Sequence, residues 1–463
     1  MAVMAPHRPA CRLPAWALGA AALVALPSAN AWTDHALATR QALSVLPAAA
    51  DAAAVPAQTL QAFVEADTAR LEKVLAAEEA WAREHVPHYP PRPDALAFKV
   101  AQRGDVVARF VAALRLNPNT PLPLFVQVMP GARAAGAPLA WQAVTLLRAE
   151  TTMPQLHFAS VRAGEAMPVL DVVASASDEP DHGFDINVWE DNGTAWGRDY
   201  AFGRQPFGNP RAENATQAPF HMGFFHEAGI VYRLAGFLKR TYPEYRIHLY
   251  RALAVEAFRS GHPYWGWRFT GWALHHVQDL TQPYHSQALP GVSVASMLWV
   301  NALDQVGQHG AKNDAVQLVT NRHFALENFQ FHALKSDYEA GRFDSPIMAA
   351  LRDRSGDAAL GPWRDSAVRD DVGRAAAAAS IATDALLAAA VPARYVSDPK
   401  FVFTEAGGSA PDLDALLRAQ SPAQRAALEQ GVARLMRAFG AESRRVVASV
   451  LAEAARPPEG AAR

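Results

Sequence analysis

Apolar residues recur along most of this chain at spacings of three and four, the pattern of helices that bury one face. The clearest case is TLQAFVEADTARLEKVLAAEEAWA (59–82), which contains no Gly or Pro. YRIHLYRALAVEAFRSG (245–261), DAVQLVTNRHFALENFQFHALKSDY (314–338) and DVGRAAAAASIATDALLAAA (371–390) read the same way. So do DLDALLRAQ and AALEQGVARLMRAFGAESRRVVASVLAEAA near the end, where Asp412 or Ser421 is placed to cap. Helices are also expected over AFKVAQRGDVVARFVAALRL (97–116), near AWQAVTLLRAE (140–150) and across IVYRLAGFLKR (230–240). Proline-rich HVPHYPPRP (85–93) breaks the pattern, leaving His85 and His88 as surface residues, and the Gly- and Asn-rich stretch up to about Ala218 reads as a long loop. No extended period-two run, Walker loop, dinucleotide fingerprint or nucleophile elbow interrupts the helices. The fold class expected is therefore all-α.

Residues 1–31 have the three parts of a secretory signal peptide: a basic start with His7, Arg8 and Arg12, an apolar run from Leu13 to Leu26, and Ala29-Asn30-Ala31 for cleavage. The apolar run is short for a membrane span, and no later stretch is expected to approach a transmembrane length. The reading places the mature protein outside the cytoplasm, secreted or periplasmic. The single cysteine, Cys11, leaves with the leader, so any metal must be held by His, Asp, Glu or backbone atoms. Removal of Arg8 and Arg12 takes the formal charge from −2 to −4. A near-neutral chain of this kind offers no broad face for nucleic acid.

Candidate chemistry gathers in GWALHHVQDLTQPYH (271–285). His275 and Asp279 lie four apart and share a helix face, and His285 follows beyond Pro283, which ends the helix. Two imidazoles and a carboxylate suit a divalent ion such as zinc. With 16 His and 45 acids in the chain, chance gives about one or two His-x-x-x-acid pairs, so the spacing alone decides nothing. A second such pair is His323 and Glu327, flanked by Phe324, Leu326 and Phe329. Upstream, cleavage would free the amine of Trp32, whose amine and carbonyl can chelate a metal that His35 also reaches. Asp34 is the expected N-cap of the first helix. SASDEPDHGFD (175–185) crowds acids into a turn, where Asp178 is placed to face a site, and His221 stands among aromatics. Trp265, Trp267 and Trp272 read as packing. The apolar piece SVASMLWVNALDQV reads as core helix in preference to a lid or a lipid-contacting element.

Trp32 at a new amino terminus, His35, HHVQDLTQPYH and HFALENF together resemble the zinc-dependent phospholipase C family, which shares its all-α fold with single-strand-specific zinc nucleases. The resemblance rests on His275, Asp279 and His285 at the family's spacing, Gln282-Pro283 before the last His, and His323 with Glu327-Asn328-Phe329. It implies up to three Zn2+ ions. Asp279 would bridge two, one shared with Trp32 and His35 and the other with His275, His221 and Asp178. His285, His323 and Glu327 would hold the third. Asp178 would also be the catalytic base, with Asp181, Asp185, His182 and His226 competing for the upstream positions. Glu327, where the nucleases usually have Asp, tilts the resemblance toward phospholipase C.

The resemblance also implies one helical domain over 32–456, with insertions at about 86–170 and 289–313 and a frayed tail at 457–463. The activity implied is hydrolysis of a phosphodiester by metal-activated water, on phospholipid at a membrane surface. A single-strand nuclease or 3′-nucleotidase acting on nucleic acid is the alternative. A non-catalytic, zinc-stabilised helical binding protein is a further one. No protein partner is implied.

Overall fold

The computed structural model describes residues 32–147, 152–208, 213–403 and 411–457. The expected leader, 1–31, and residues 458–463 of the expected tail lie outside them. Helices dominate, and among the described residues strands are limited to short pieces of two to four residues. The fold is all-α, as the periodicity predicts.

One helix organises the packing. The central helix, Pro263–Leu280, starts with Pro at its first turn, and every residue from Tyr264 to Leu280 is buried. Apolar or aromatic residues occur on every face of it, and its polar side chains, Arg268, Gln278 and Asp279 among them, are buried with partners, so the helix has to be surrounded. Pro243–Arg259 lies along one side, Val169–Ala176 along another, and the long final helix Pro422–Ala454 along a third. Trp265 and Trp272 are fully buried, with Trp267 nearly so, and all three belong to the main apolar core. Gly271 makes the approach of Val169–Ala176 possible: a Cβ there would lie 2.5 Å from the Ala176 Cβ and 2.8 Å from the Val173 carbonyl. This contact sets the acidic turn after Ala176 against the central helix.

The first helix, His35–Leu43, is capped by Asp34, whose side chain accepts from the Leu37 N–H at 3.3 Å. It packs between Val169–Ala176 and Pro422–Ala454. Asp412 caps Leu413–Gln420 through the Ala415 N–H, whereas Ser421 makes no side-chain cap and Pro422 starts the last helix.

The region from 86 to 170 departs from expectation. The helix predicted over 97–116 is confined to Val106–Leu114, because Asp105 takes the Val107 and Ala108 N–H groups and starts it there. Of the helix expected near 140–150, the described residues 140–147 contain a single turn, Trp141–Ala143, and 148–150 lie outside the described residues. Strand Phe125–Val128 pairs antiparallel with His157–Ser160, which also pairs with Pro138–Leu139. Val55–Pro56 pairs with Ala166–Met167. IVYRLAGFLKR is likewise split, into Gly229–Leu234 and the turn Gly236–Lys239.

The helix Val294–Gln305 overturns the core reading of SVASMLWVNALDQV. Only Met297 of its described side chains is buried, and Leu298 and Trp299 are exposed. Periodicity reports that a segment is apolar and helical, but not whether anything covers it. Contrary to the expectation that no stretch after the leader approaches a transmembrane length, the helix Val368–Ala390 is long enough, with a mean hydropathy of 1.3. It is alanine-rich and packs on Pro283–Ser286 and Pro422–Ala454.

Candidate metal centre

Two groups of donors meet where the central helix ends. The first surrounds Asp279. His35 Nε2 lies 3.1 Å from Asp279 Oδ1, while His221 Nδ1 and His275 Nε2 lie 2.8 and 3.3 Å from Oδ2. The second joins His285 to the 310–340 helix: His323 Nε2 is 2.6 Å from Glu327 Oε1 and 3.2 Å from His285 Nε2.

The hydrogen bonds on the far side of each ring show what the near side offers. His275 Nδ1 is 2.8 Å from the Ser177 carbonyl and His285 Nδ1 is 3.0 Å from the His221 carbonyl. A carbonyl only accepts, so each Nδ1 carries the proton and each Nε2 presents a lone pair. His35 is fixed in the same way. Gln278 donates from Nε2 to Thr39 Oγ1 and Ser443 Oγ, so its Oε1, 2.8 Å from His35 Nδ1, accepts. Three lone pairs are thus aimed at carboxylate oxygens or at another imidazole nitrogen 3.0 Å away. Acceptors facing acceptors repel unless a proton or a cation lies between them. A backbone or amide anchor on the remote nitrogen is the usual support of a metal-bound histidine.

At His275 and His285 the electrostatics agree, and at His35 a proton shared with Asp279 takes the place of the cation. Burial drives His275 down to about 4 and His285 down to about 3, so both rings stay neutral, the form a metal needs. Burial also lowers His276 far below the ordinary range. For His35 the burial penalty is outweighed by the Asp279 carboxylate, and its pKa rises. Asp279 would be raised by burial, but His275, His221 and His35 hold it well below the usual carboxylate range.

The structure also assigns the crowded acidic turn. Asp178 accepts from the His35 backbone N–H at 2.9 Å with Oδ1, and its Oδ2 lies 3.5 Å from His182 Nε2. Burial opposes its charge, yet His182 and His35 keep its pKa lowered. Glu179 receives Arg268 Nε at 2.8 Å and Trp272 Nε1 at 2.9 Å. Asp185 is paired with buried Arg246. Asp181 alone among them reaches the histidines, at 3.6 Å from both His221 Nδ1 and His275 Nε2. Asp178, expected at that position, instead fixes the start of the first helix, because the turn Glu179–His182 carries Asp181 inward. His226 lies elsewhere, donating from Nε2 to the Arg369 carbonyl at 2.8 Å.

Three sets of side chains are close enough to hold an ion: His221, His275, His276 and Asp279; His35, Asp181 and His275; and His285, His323 and Glu327. These buried groups can therefore hold a metal. Trp32 is fully buried beside them, its Nε1 donating to Thr281 Oγ1 at 3.1 Å. Compared with known families, curated proteins and solved structures, the chain finds no match.

Gln282 enters the resemblance only together with Pro283, and Gln278, Gln127 and His276 carry no expectation from the sequence, yet all four support the site. Gln278 orients His35. Gln282 caps the Pro283–Ser286 turn with its Oε1 and donates from Nε2 to Glu327 Oε1 at 3.0 Å, a physical reason for Gln-Pro before His285. Gln127, on the strand Phe125–Val128, donates to Asp34 at 2.8 Å and so ties the long insertion to the first helix. His276, stacked near Tyr250, joins the first set from the adjacent helix position. Doubled His in the motif was its only signal.

Proposed function

We propose that the protein is an exported, zinc-dependent phosphodiester hydrolase with phospholipase C-like action, holding up to three Zn2+ ions. The observation that carries this is the set of three histidines whose Nδ1 protons are committed elsewhere, so that their Nε2 lone pairs converge on Asp279, His221 and the His323–Glu327 pair. The donor set, nitrogen and carboxylate without thiolate, suits zinc in a hydrolytic site. Trp32 and His35 would share one ion with Asp279. His221, His275, Asp279 and Asp181 would hold a second, and His285, His323 and Glu327 a third.

Clustered divalent ions supply charge neutralisation for a phosphodiester and lower the pKa of water. The chain's own groups do the rest. Asp279 ties the first two donor groups together. Asp178 fixes His35 through its backbone. Asp181, 9 % exposed, would take a proton from the attacking water, the role that the resemblance implies for Asp178. Glu327 in place of Asp favours the phospholipase over the nuclease branch.

A second reading has an observation of its own. Apart from Asp181, the donor side chains are almost wholly buried, as in structural zinc sites, which are closed. A zinc-stabilised, non-catalytic helical protein would have the same interior. Zinc-loaded mature protein should release phosphorylated head group from phospholipid vesicles and leave single-stranded nucleic acid intact. Cleavage of nucleic acid alone would shift the assignment to the nuclease branch. Hydrolysis of neither would leave only the structural role.

A further inference from the structure

The helix Val294–Gln305 turns an apolar face to solvent. Ala295, Trp299, Ala302 and Val306 follow one another at spacings of four, three and four, hence on one face, and all are exposed. Trp299 is 65 % and Val306, just past the helix end, 72 % exposed, with Leu298 beside them at 41 %. A surface helix normally turns its polar side to water. Here the inward anchor is Met297, and the nearest charge, Asp304, is neutralised by Lys312 Nζ at 2.8 Å and His309 Nδ1 at 2.6 Å.

The surroundings suggest what this face meets. Met297 sits in a small satellite core with Met222, Val231 and Ala288. Gly229–Leu234 belongs to the same cluster and adds exposed Leu234. The cluster adjoins the proposed metal centre, since Met222 follows His221 and the Gly223 N–H donates to the His285 carbonyl at 2.8 Å. Residues 287–303 carry no charge at all. Residues 228–242 carry Arg233, Lys239 and Arg240 and no acid, and Arg233 and Lys239 are exposed. A Trp- and Leu-bearing helix whose one charge, Asp304 near its end, is paired with Lys312, lying beside the cations of 228–242, matches the head-group boundary of an anionic bilayer. A protein partner would need no such one-sided charge.

We infer that Val294–Gln305 and the neighbouring Gly229–Leu234 segment form a docking surface for anionic phospholipid membranes, with Leu298, Trp299 and Val306 entering the interface. It deepens the phospholipase reading by giving the site a membrane to work on, but it stands on the surface itself.

The test uses zinc-loaded mature protein and vesicles of phosphatidylcholine with or without phosphatidylglycerol. Binding should be stronger to the anionic vesicles, and acyl-chain-brominated lipid should quench part of the tryptophan emission. Leu298→Ser with Trp299→Ser should weaken binding by about tenfold or more and abolish that quenching. Hydrolysis of the soluble diester bis(p-nitrophenyl) phosphate should be unchanged in the variant. Equal binding by the variant, or no quenching of bound wild type, overturns the inference. So does a Trp299-dependent dimer in sedimentation without vesicle binding. Absent vesicle binding with intact hydrolysis of the soluble diester removes this inference alone. Vesicle binding without hydrolysis of any diester removes the hydrolase reading alone.

Discussion

Asp279 and Glu327 are both buried carboxylates within reach of two or more histidines, yet their ionisation is opposite. Asp279 is surrounded by His275, His221 and His35, which outweigh burial and hold it ionised. Glu327 is pushed well above the usual range by burial, which Gln282 only partly relieves and the Asp279 charge makes worse. Four chain segments converge on Asp279, whereas the Glu327 group comes from one turn and one helix. The difference teaches that the carboxylate of the first group is ionised before any metal arrives, its charge answered by a proton on His35 that an ion would displace. The second becomes a carboxylate only when a cation arrives, because a bound ion inverts the local preference. The two groups are also joined, since the ring of His221 serves the first while its carbonyl holds His285 of the second.

Breaking the first group should cost most. Asp279→Asn should lose the metal of both sets that share it and lower diester hydrolysis by on the order of 10³-fold or more; initial rates on a soluble diester check this. Next, Asp181→Asn should weaken zinc binding more than Asp178→Asn, for which about 10- to 100-fold is expected from loosening His35. Competition with a chelator measures both, and the reverse order would return Asp178 to the ligand position.

Glu327→Gln should separate the two groups, removing one metal equivalent while stabilising the metal-free protein by about 1–3 kcal/mol at neutral pH. The sign follows from the raised pKa. Above 4.5 the folded metal-free chain keeps a proton on Glu327 that the unfolded chain has lost, so this contribution fades as pH rises. The readout is the difference between wild type and Glu327→Gln in thermal unfolding with chelator from about pH 5 to 8, which should widen in the variant's favour as pH rises. The difference is read because both proteins share the opposite trend of His275, His276 and His285, whose lowered pKa values favour folding as pH rises toward 6.5. Asp279 acts in the opposite sense, its contribution fading only as pH falls below the ordinary carboxylate value of 3.8.

The smallest effect tests the scaffold. Gly271→Ala, with a Cβ 2.5 Å from that of Ala176, should cost about 1–3 kcal/mol in denaturant unfolding and weaken metal binding by displacing Ser177 and Asp181.

Much of this was legible because the relevant spacings are helical. His275 with Asp279 and His323 with Glu327 each sit four apart on uninterrupted helices, and Asp34 and Asp412 cap as their sequences suggest. The acidic turn was not legible. Asp178, Glu179, Asp181 and Asp185 fall in one short segment, and which of them faces His275 depends on the direction of a 3₁₀ turn. The region 86–170 was misread for a related reason, since strand pairs such as Phe125–Val128 with His157–Ser160 are too far apart in sequence to leave a local pattern. Val294–Gln305 shows the third kind of failure, where an apolar helix was taken for core and lies instead at the surface.

The most direct test counts the metal. Mature protein beginning at Trp32, its Asp279→Asn variant and its Glu327→Gln variant would be loaded with zinc, desalted and measured by elemental analysis against chain concentration. The account predicts up to three equivalents in the wild type, loss of most of them in Asp279→Asn and loss of one in Glu327→Gln. A wild type without bound metal, or an Asp279→Asn variant that retains all of it, would contradict it.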